Sequence, residues 1–290
     1  MEQKTSSTKC IGIVGLGLIG GSLGLDLQSL GFEVHGLVHR STTAEKAKER
    51  GLSQVISTDP KILLDCDLII LALPLDQLLK PSEALINALP QSSVITDVGS
   101  VKAPVLEVWK KLHPFYVASH PMAGTAEAGV KAGRLGLFKQ RPWVATPEIN
   151  TNPEALEKIH QIALALGSQW ITTEAEMHDQ AVALISHLPV LISAALLKTL
   201  GNERNPSLLD LAKKLASSGF ADTTRIGGGN PDLGAGMMSH NSSAILRALT
   251  SYRWSLEQFE EAILTEHWPQ IQAELEKTQE LRPEFLKKSP

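Results

Sequence analysis

The sequence predicts an α/β fold in which a parallel sheet is followed by a domain made of helices alone. Two observations carry this prediction. Short apolar strands alternate with helical patterns in the first half, and strand patterns disappear after residue 174. A chain of 290 residues is long enough for two hydrophobic cores. We therefore expect domains at 1–173 and 174–290.

The first strand, residues 10–14, runs directly into a G-x-G-x-x-G segment at 15–20. In this motif Gly15 allows the tight turn, Gly17 lets the backbone approach a pyrophosphate, and Gly20 lets the next helix pack against the sheet. Alone, the motif could be an ordinary strand-to-helix turn. A second strand at 33–38 completes a βαβ unit, so the pattern predicts a Rossmann-type doubly wound parallel sheet that binds a dinucleotide.

The end of the second strand favours NADP over NAD. NAD sites usually carry an acidic residue there for the ribose 2′-hydroxyl, and none occurs from Val34 to Ala44. Arg40 can instead pair with a 2′-phosphate, to which the hydroxyls of Ser41 and Thr42 can donate. The alternative is a solvated polar turn that caps a helix beginning near Thr43.

Further strands are predicted at 67–74, 93–97, 115–119, 143–146 and 169–172, with helices at about 102–111 and 153–166. The sheet is expected to be parallel with a mixed edge. The expected cofactor contacts lie on the glycine loop, after the second strand and at the end of the strand at 67–74: Gly15, Gly17, Leu18, Ile19, Gly20, His39, Arg40, Ser41, Thr42, Leu73 and Pro74.

After residue 174, helices are predicted at 175–200 with a kink at Pro189, at 208–216, and from 242 to about 281. The stretch 181–197 is apolar all round but barely long enough to cross a membrane, so a buried helix or a dimer interface explains it more simply. The apolar surface exceeds what a lone bundle can bury, which predicts an all-helical dimerisation domain and a homodimer.

Composition limits the partners. The net charge of -4 argues against general nucleic-acid binding and leaves an anionic substrate to local arginines. The first nine residues are polar and predict a short leader without an export signal. Cys10 and Cys66 both lie near buried strands and are interpreted as reduced core residues, consistent with a cytoplasmic protein. The spacing of the histidines and cysteines along the chain predicts no metal site.

Two loops are expected at the carboxyl ends of the strands, where open α/β sheets bind ligands. Residues 97–102 contain Ser100, and residues 119–125 contain His120. A dehydrogenase that acts on a hydroxyl group needs a base for the hydroxyl proton, and histidine has a suitable pKa. His120 is therefore the candidate base, although a single histidine can also be purely structural.

Four spaced blocks resemble the prephenate/arogenate dehydrogenase family of tyrosine biosynthesis. They are D-V-G-S-V-K at 97–102, S-H-P-M-A-G-T at 119–125, S-H-L-P at 186–189 and S-S-G-F-A-D-T-T-R-I at 217–226. The resemblance extends from Ile11 to the last long helix. It implies oxidative decarboxylation of a cyclohexadienol, in which hydride passes to the cofactor, CO2 departs and the ring becomes aromatic.

The resemblance also implies roles for single residues. His120 accepts the proton of the ring hydroxyl, Ser100 orients that hydroxyl, and Arg225 binds a substrate carboxylate. The remaining substrate contacts implied are Ser186, His187 and Thr125. His187 is equally well explained as a buried residue bonded at the kink, and Arg225 as a surface ion-pair partner.

Two departures from the family pattern favour arogenate over prephenate. Val190 stands where members that use prephenate often have a second histidine, and Ala126 stands where many members have an acidic residue. Prephenate dehydrogenase activity is the alternative. A β-hydroxyacid dehydrogenase or imine reductase would use Lys198 and Asn202, which have the right spacing but lie at a helix end. A non-catalytic NADP-binding module would leave Ser100, His120 and Arg225 unexplained.

Overall fold

The structure of the protein is a computed structural model that describes residues 9–125 and 127–286. Its strands are β1 (Cys10–Val14), β2 (Glu33–Leu37), β3 (Val55–Ser57), β4 (Leu68–Leu71), β5 (Val94–Asp97), β6 (Tyr116–Val117), β7 (Ser119–Pro121), β8 (Pro142–Ala145) and β9 (Gln169–Thr172). The helices that accompany them are α1 (Leu18–Ser29), α2 (Ser41–Glu49), α3 (Leu75–Leu79), α4 (Glu83–Ala88), α5 (Ala103–Leu112) and α6 (Pro153–Ala165).

The main sheet has six parallel strands in the order β3-β2-β1-β4-β5-β6. Strands β1 and β4 are apolar and fully buried because helices cover both faces of the sheet. The strand order reverses between β1 and β4, which is where such sheets bind ligands. The predicted doubly wound parallel fold is confirmed.

The strand predicted at 115–119 is wrong in its extent. The chain pairs with β5 only through Val117 and then turns into β7, which belongs to a second, three-stranded sheet in the order β7-β8-β9. The reason is the backbone N–H of Ser119, which donates to the buried carboxylate of Asp97 at 3.2 Å instead of continuing the ladder. The pairing of β7 with β8 is antiparallel, so the mixed pairing predicted at an edge occurs in a separate sheet.

The second half is helical, as predicted, but the kink takes another form. Helix α7 (Ala175–Val182) passes through a π-helical turn (Ala183–His187) into α8 (Leu188–Gly201). Pro189 lacks a backbone N–H and its ring displaces the preceding turn, so the wider turn lies just before it. The continuous helix 175–201 is long and apolar enough to cross a membrane, and 28% of its most apolar 18-residue stretch is buried in this chain.

Further helices are α9 (Pro206–Leu215), α10 (Ser218–Thr224), α11 (Pro231–His240), α12 (Ser242–Leu264) and α13 (Trp268–Leu286). Sequence patterns had predicted neither α10 nor α11. The prediction of a single helix from 242 to 281 is wrong. The chain forms α12 and α13 there, separated at Thr265–His267, where Glu266 has a φ of 52°. Pro269 lies in the first turn of α13, where its missing N–H breaks no helical hydrogen bond.

The chain divides into two compact units, the first ending at Ser242 and the second beginning at Ser243. The second unit consists of α12 and α13 and exposes many large apolar side chains, among them Trp254, Leu264 and Trp268. Exposed apolar surface of this extent is typical of a face that is covered in an assembly. The domain boundary at 173/174 stays a prediction, as does the leader, whose residues 1–8 lie outside the described part of the chain.

Candidate active site

The glycine loop has the shape that a dinucleotide requires. Gly15 has a φ of 93°, and a Cβ there would lie 2.4 Å from the carbonyl oxygen of Ala72. A Cβ at Gly20 would lie 1.8 Å from the carbonyl oxygen of Gly15. At Gly17, by contrast, a Cβ would meet no described atom within 4 Å. Gly15 and Gly20 are therefore fixed by packing, and the open side of Gly17, at the start of α1, leaves room for a pyrophosphate.

The residues predicted to select NADP lie at the start of α2. Arg40 is the N-cap residue, and Ser41 and Thr42 form the first turn, so the helix begins two residues earlier than the sequence predicted. All three side chains are exposed, and the first turn carries no acidic residue. A helix start with a guanidinium and free N–H groups attracts a phosphate. His39 is exposed beside them, and Leu73 and Pro74 lead from β4 into α3.

A buried polar group, here called the Asp97 cluster, consists of Asp97, Lys102, Tyr116 and Ser119. The Asp97 carboxylate accepts hydrogen bonds from the Lys102 ammonium, from the Tyr116 hydroxyl at 2.6 Å and from Ser119 N–H at 3.2 Å. Lys102 also donates to the Ser119 carbonyl oxygen at 2.7 Å. Burial lowers the pKa of Lys102, which Asp97 opposes, and burial raises the pKa of Tyr116. The cluster holds the start of β7, and with it His120.

His120 belongs to a chain of three side chains, here called the histidine relay: Asp179, His178 and His120. Asp179 Oδ1 lies 2.8 Å from His178 Nδ1, and His178 Nε2 lies 3.0 Å from His120 Nδ1. An ionised carboxylate can only accept, so His178 donates from Nδ1 and accepts at Nε2. His120 must then donate from Nδ1. This leaves the lone pair of His120 on Nε2, the form that a general base needs.

The carboxylate of Asp179 is fixed by backbone groups. It accepts from the N–H groups of Lys102 at 2.7 Å and Ala103 at 2.9 Å, at the start of α5. Burial, together with the charges of His178, Lys102 and His187, holds the pKa of His120 well below its usual range. The ring is therefore neutral at physiological pH, which is the state that can accept a proton.

His187 and Ser100 each carry a buried polar atom that is not satisfied. His187 is fully buried in the π-helical turn, and its Nδ1 accepts from the Asn241 amide at 3.1 Å. Its Nε2, and the hydroxyl oxygen of Ser100, have no hydrogen-bond partner within residues 9–125 and 127–286. Burial lowers the pKa of His187 to about 4. His187 is thus buried and bonded at the kink, and its Nε2–H is left for a ligand to accept from, while its contact with the substrate stays a prediction.

Among the described residues, no hydrogen bond between side chains links the other predicted substrate residues to His120 or His187. Arg225 follows α10, is exposed, and makes no ion pair or hydrogen bond with any residue that the structure describes. Thr125 accepts from the Glu127 backbone at 3.2 Å, and Ser186 is half-buried in the π-helical turn. Ala126, one of the two departures from the family pattern, lies outside the described residues.

Both halves of the chain match models of known domains. The nucleotide-binding domain of prephenate dehydrogenase matches residues 23–172, and the dimerization domain of prephenate dehydrogenase matches residues 174–277. The chain belongs to the prephenate dehydrogenase family. The family relation confirms the resemblance carried by the four sequence blocks.

Members of the prephenate dehydrogenase family with solved structures superimpose over nearly the whole chain. Synechocystis arogenate dehydrogenase is 40% identical, with a TM-score of 0.82 over 95% of this chain and 99% of that one. Prephenate dehydrogenase from A. aeolicus, solved with hydroxyphenyl propionate and NAD+, is 26% identical, with a TM-score of 0.90 over 97% and 100%. Prephenate dehydrogenase of Bacillus subtilis (strain 168) is 30% identical over 81% of this chain, a match that spans 64% of its own length.

The sequence patterns did not identify His178 and Asp179. The adjacent pair does stand out in the continuous helix 175–201, which is otherwise largely apolar. The patterns also assigned no role to Lys102, whose segment they had singled out, or to Asn241. Lys198 is exposed, and Asn202 is the C-cap residue of α8, which agrees with their interpretation as solvated residues at a helix end.

Proposed function

We propose that the protein catalyses the oxidative decarboxylation of arogenate to tyrosine with NADP+ as the hydride acceptor. The observation that carries the proposal is the histidine relay, because it presents a neutral base at His120 Nε2. Membership of the prephenate dehydrogenase family supports the reaction class.

In this mechanism His120 Nε2 accepts the proton of the ring hydroxyl. A dinucleotide held by the glycine loop and Arg40 would supply the hydride acceptor for the ring carbon that carries the hydroxyl. Loss of the ring carboxylate as CO2 then gives the aromatic ring. The imidazolium that forms on His120 donates from Nδ1 to His178, which in turn donates to Asp179, so the negative charge of Asp179 stabilises it through the hydrogen-bonded chain.

Ser100 and His187 are the residues we assign to substrate positioning. Each has a buried polar atom with no partner among the described residues, and a bound polar substrate would satisfy it. The guanidinium of Arg225 has no described partner either, so it is free to bind a substrate carboxylate. Thr125 and Ser186 complete the proposed contacts.

The choice of arogenate and NADP rests on separate grounds. The 40% identity to Synechocystis arogenate dehydrogenase and the valine at position 190 favour arogenate. The exposed Arg40, Ser41 and Thr42 at the start of α2 favour NADP. Prephenate with NAD is the second candidate, since the A. aeolicus prephenate dehydrogenase was solved with NAD+.

The experiment is a set of four initial rates, in which arogenate and prephenate are each supplied with NADP+ and with NAD+. We expect the highest kcat/KM with arogenate and NADP+. A higher kcat/KM with prephenate would mean that prephenate is the substrate, and the proposed mechanism would stay the same. No turnover in any combination would reject the proposal.

We also propose that the protein is a cytoplasmic homodimer that pairs through its helical domain. The matched dimerization domain and the apolar side chains exposed on α12 and α13 support the dimer. Free, buried cysteines are consistent with a reducing compartment. Sedimentation of the purified protein at twice the chain mass is the expected result, and a monomer at micromolar concentration would reject the dimer.

A further inference from the structure

Cys10, His35 and Cys66 meet near the amino ends of three neighbouring strands. Cys10 is the first residue of β1, His35 lies in β2, and Cys66 comes two residues before β4. The strand order β2-β1-β4 makes these three segments neighbours although they are far apart in sequence. In a parallel sheet the amino ends share one edge. The cluster therefore lies at the edge opposite the glycine loop and Asp97, and the proposed reaction does not use it.

The three side chains bring their ligand atoms together in a dry setting. Cys10 Sγ lies 3.3 Å from Cys66 Sγ, and Cys66 Sγ lies 3.8 Å from His35 Nδ1. All three ligand atoms lie within 4.8 Å of one another. Only 6% of Cys10 and 3% of Cys66 is exposed. Gly12 leaves the necessary space, since a Cβ there would lie 3.2 Å from Cys66 Sγ.

Two acceptors hold the ring of His35. Nε2 lies 2.9 Å from Glu33 Oε1, and Nδ1 lies 3.0 Å from the carbonyl oxygen of Ile62. Both oxygens can only accept, so a metal ion at Nδ1 takes the place of the proton that Nδ1 donates to Ile62, while Nε2 keeps its proton toward Glu33. A carboxylate behind the imidazole is the usual support of a histidine that binds a metal.

Acidic side chains lie around the cluster. Glu33 contacts the ring of His35, and the carboxylate of Asp67 accepts from the backbone N–H of Cys10 at 3.1 Å. Two cysteines and one histidine are the donors that thiophilic ions such as Zn2+ prefer over Mg2+ or Ca2+.

We propose that Cys10, His35 and Cys66 bind one thiophilic metal ion of the Zn2+ class. Binding releases the two thiol protons, so two thiolates and one divalent ion leave the site neutral. The ion joins β1, β2 and the start of β4, which makes its role structural.

The test is titration of the reduced, chelator-treated full chain with Co2+ as a spectroscopic probe, followed by displacement with Zn2+. We expect one Co2+ per chain, an absorption band from thiolate-to-metal charge transfer, and loss of that band on adding Zn2+. Because the ion binds only the native state, Zn2+ at about 100 times its dissociation constant stabilises the chain by about 2.7 kcal/mol and should raise the Tm by about 4–5 °C.

The variants Cys66→Ser and His35→Asn should abolish the Co2+ band, and Glu33→Gln should weaken binding about tenfold or more. His160→Asn, which changes a histidine stacked on Trp170 instead, should leave the titration unchanged. His35 is part-exposed, so its variant keeps the test decisive if Cys66→Ser fails to fold. An absent band, an unchanged titration in His35→Asn, or fewer than two free thiols in the unfolded reduced chain would overturn the proposal.

Discussion

The proposed dinucleotide site, at the glycine loop and the start of α2, and the site around His120 are built in different ways. The glycine loop and the start of α2 belong to one continuous stretch of the chain, and their shape is set mainly by the backbone. The site around His120 brings together residues from β5, α5, β7 and α7, and it depends on buried side chains that hold one another. A local, exposed site tolerates the loss of a side chain, whereas a buried network does not. The expected effects of substitution therefore differ in size.

The largest effect is expected where the buried network is broken. Lys102→Met leaves the carboxylate of Asp97 buried without its cation, and breaking a buried ion pair costs about 3–5 kcal/mol of unfolding free energy. Urea unfolding monitored by tryptophan fluorescence measures the loss. The double variant Asp97→Asn/Lys102→Met should recover part of it, and the exposed Lys110→Met should change the midpoint little. A single variant as stable as the native chain would contradict this account of the cluster.

The next effect is acid destabilisation through His187. In the unfolded chain a histidine has a pKa of about 6.5, whereas burial lowers that of His187 to about 4. Above pH 6.5 both states are neutral and His187 contributes nothing. As the pH falls from 6.5 to 4, only the unfolded chain gains the proton, so stability falls by about 3 kcal/mol.

Below pH 4 both states are protonated and the loss levels off. The lowered pKa values of His113 and His120 act with the same sign. Urea unfolding between pH 7.5 and 4 measures the slope, and His187→Gln should flatten it while the exposed His39→Gln should not. A stability that rises on acidification would contradict the assignment.

The third effect is on catalysis. His120→Asn removes the base and should lower kcat by about 100-fold or more, roughly 2.7 kcal/mol of transition-state stabilisation. The dissociation constant of NADP+ should not change, because His120 lies outside the glycine loop. A kcat within a few-fold of the native value would remove His120 from the mechanism, while weaker NADP+ binding would show a wider structural defect.

His178 should have a smaller effect, because it acts through His120 as a positioning residue. His178→Phe deprives His120 Nδ1 of its acceptor and should lower kcat about tenfold. It should also shift the acidic limb of the kcat/KM profile, which a merely structural defect would not do. An unchanged profile would leave His178 with a packing role only.

The same contrast explains what the sequence could predict. The βαβ unit and the glycine loop are contiguous, so spacing along the chain was enough to predict them, and Arg40 followed as a candidate from the same stretch. His120 and Ser100 were predicted because strand ends meet at one edge of a parallel sheet, and their roles stay predictions. The pairing of His178 with His120 depends on how α7 packs against β7, which no local pattern encodes. The contact between Cys10 and Cys66 escaped for the same reason, since it depends on strand order.

The smallest effect tests the local site. Arg40→Ala should weaken NADP+ binding about fivefold, roughly 1 kcal/mol, because an exposed guanidinium is well solvated even when paired. NAD+ binding should hardly change, since NAD+ lacks the 2′-phosphate. Lys46→Ala, in the last turn of the same helix, is the matched control and should affect neither cofactor. Isothermal titration with both cofactors provides the comparison. An equal loss for NAD+ and NADP+ would mean that Arg40 stabilises the start of α2 and does not recognise the 2′-phosphate.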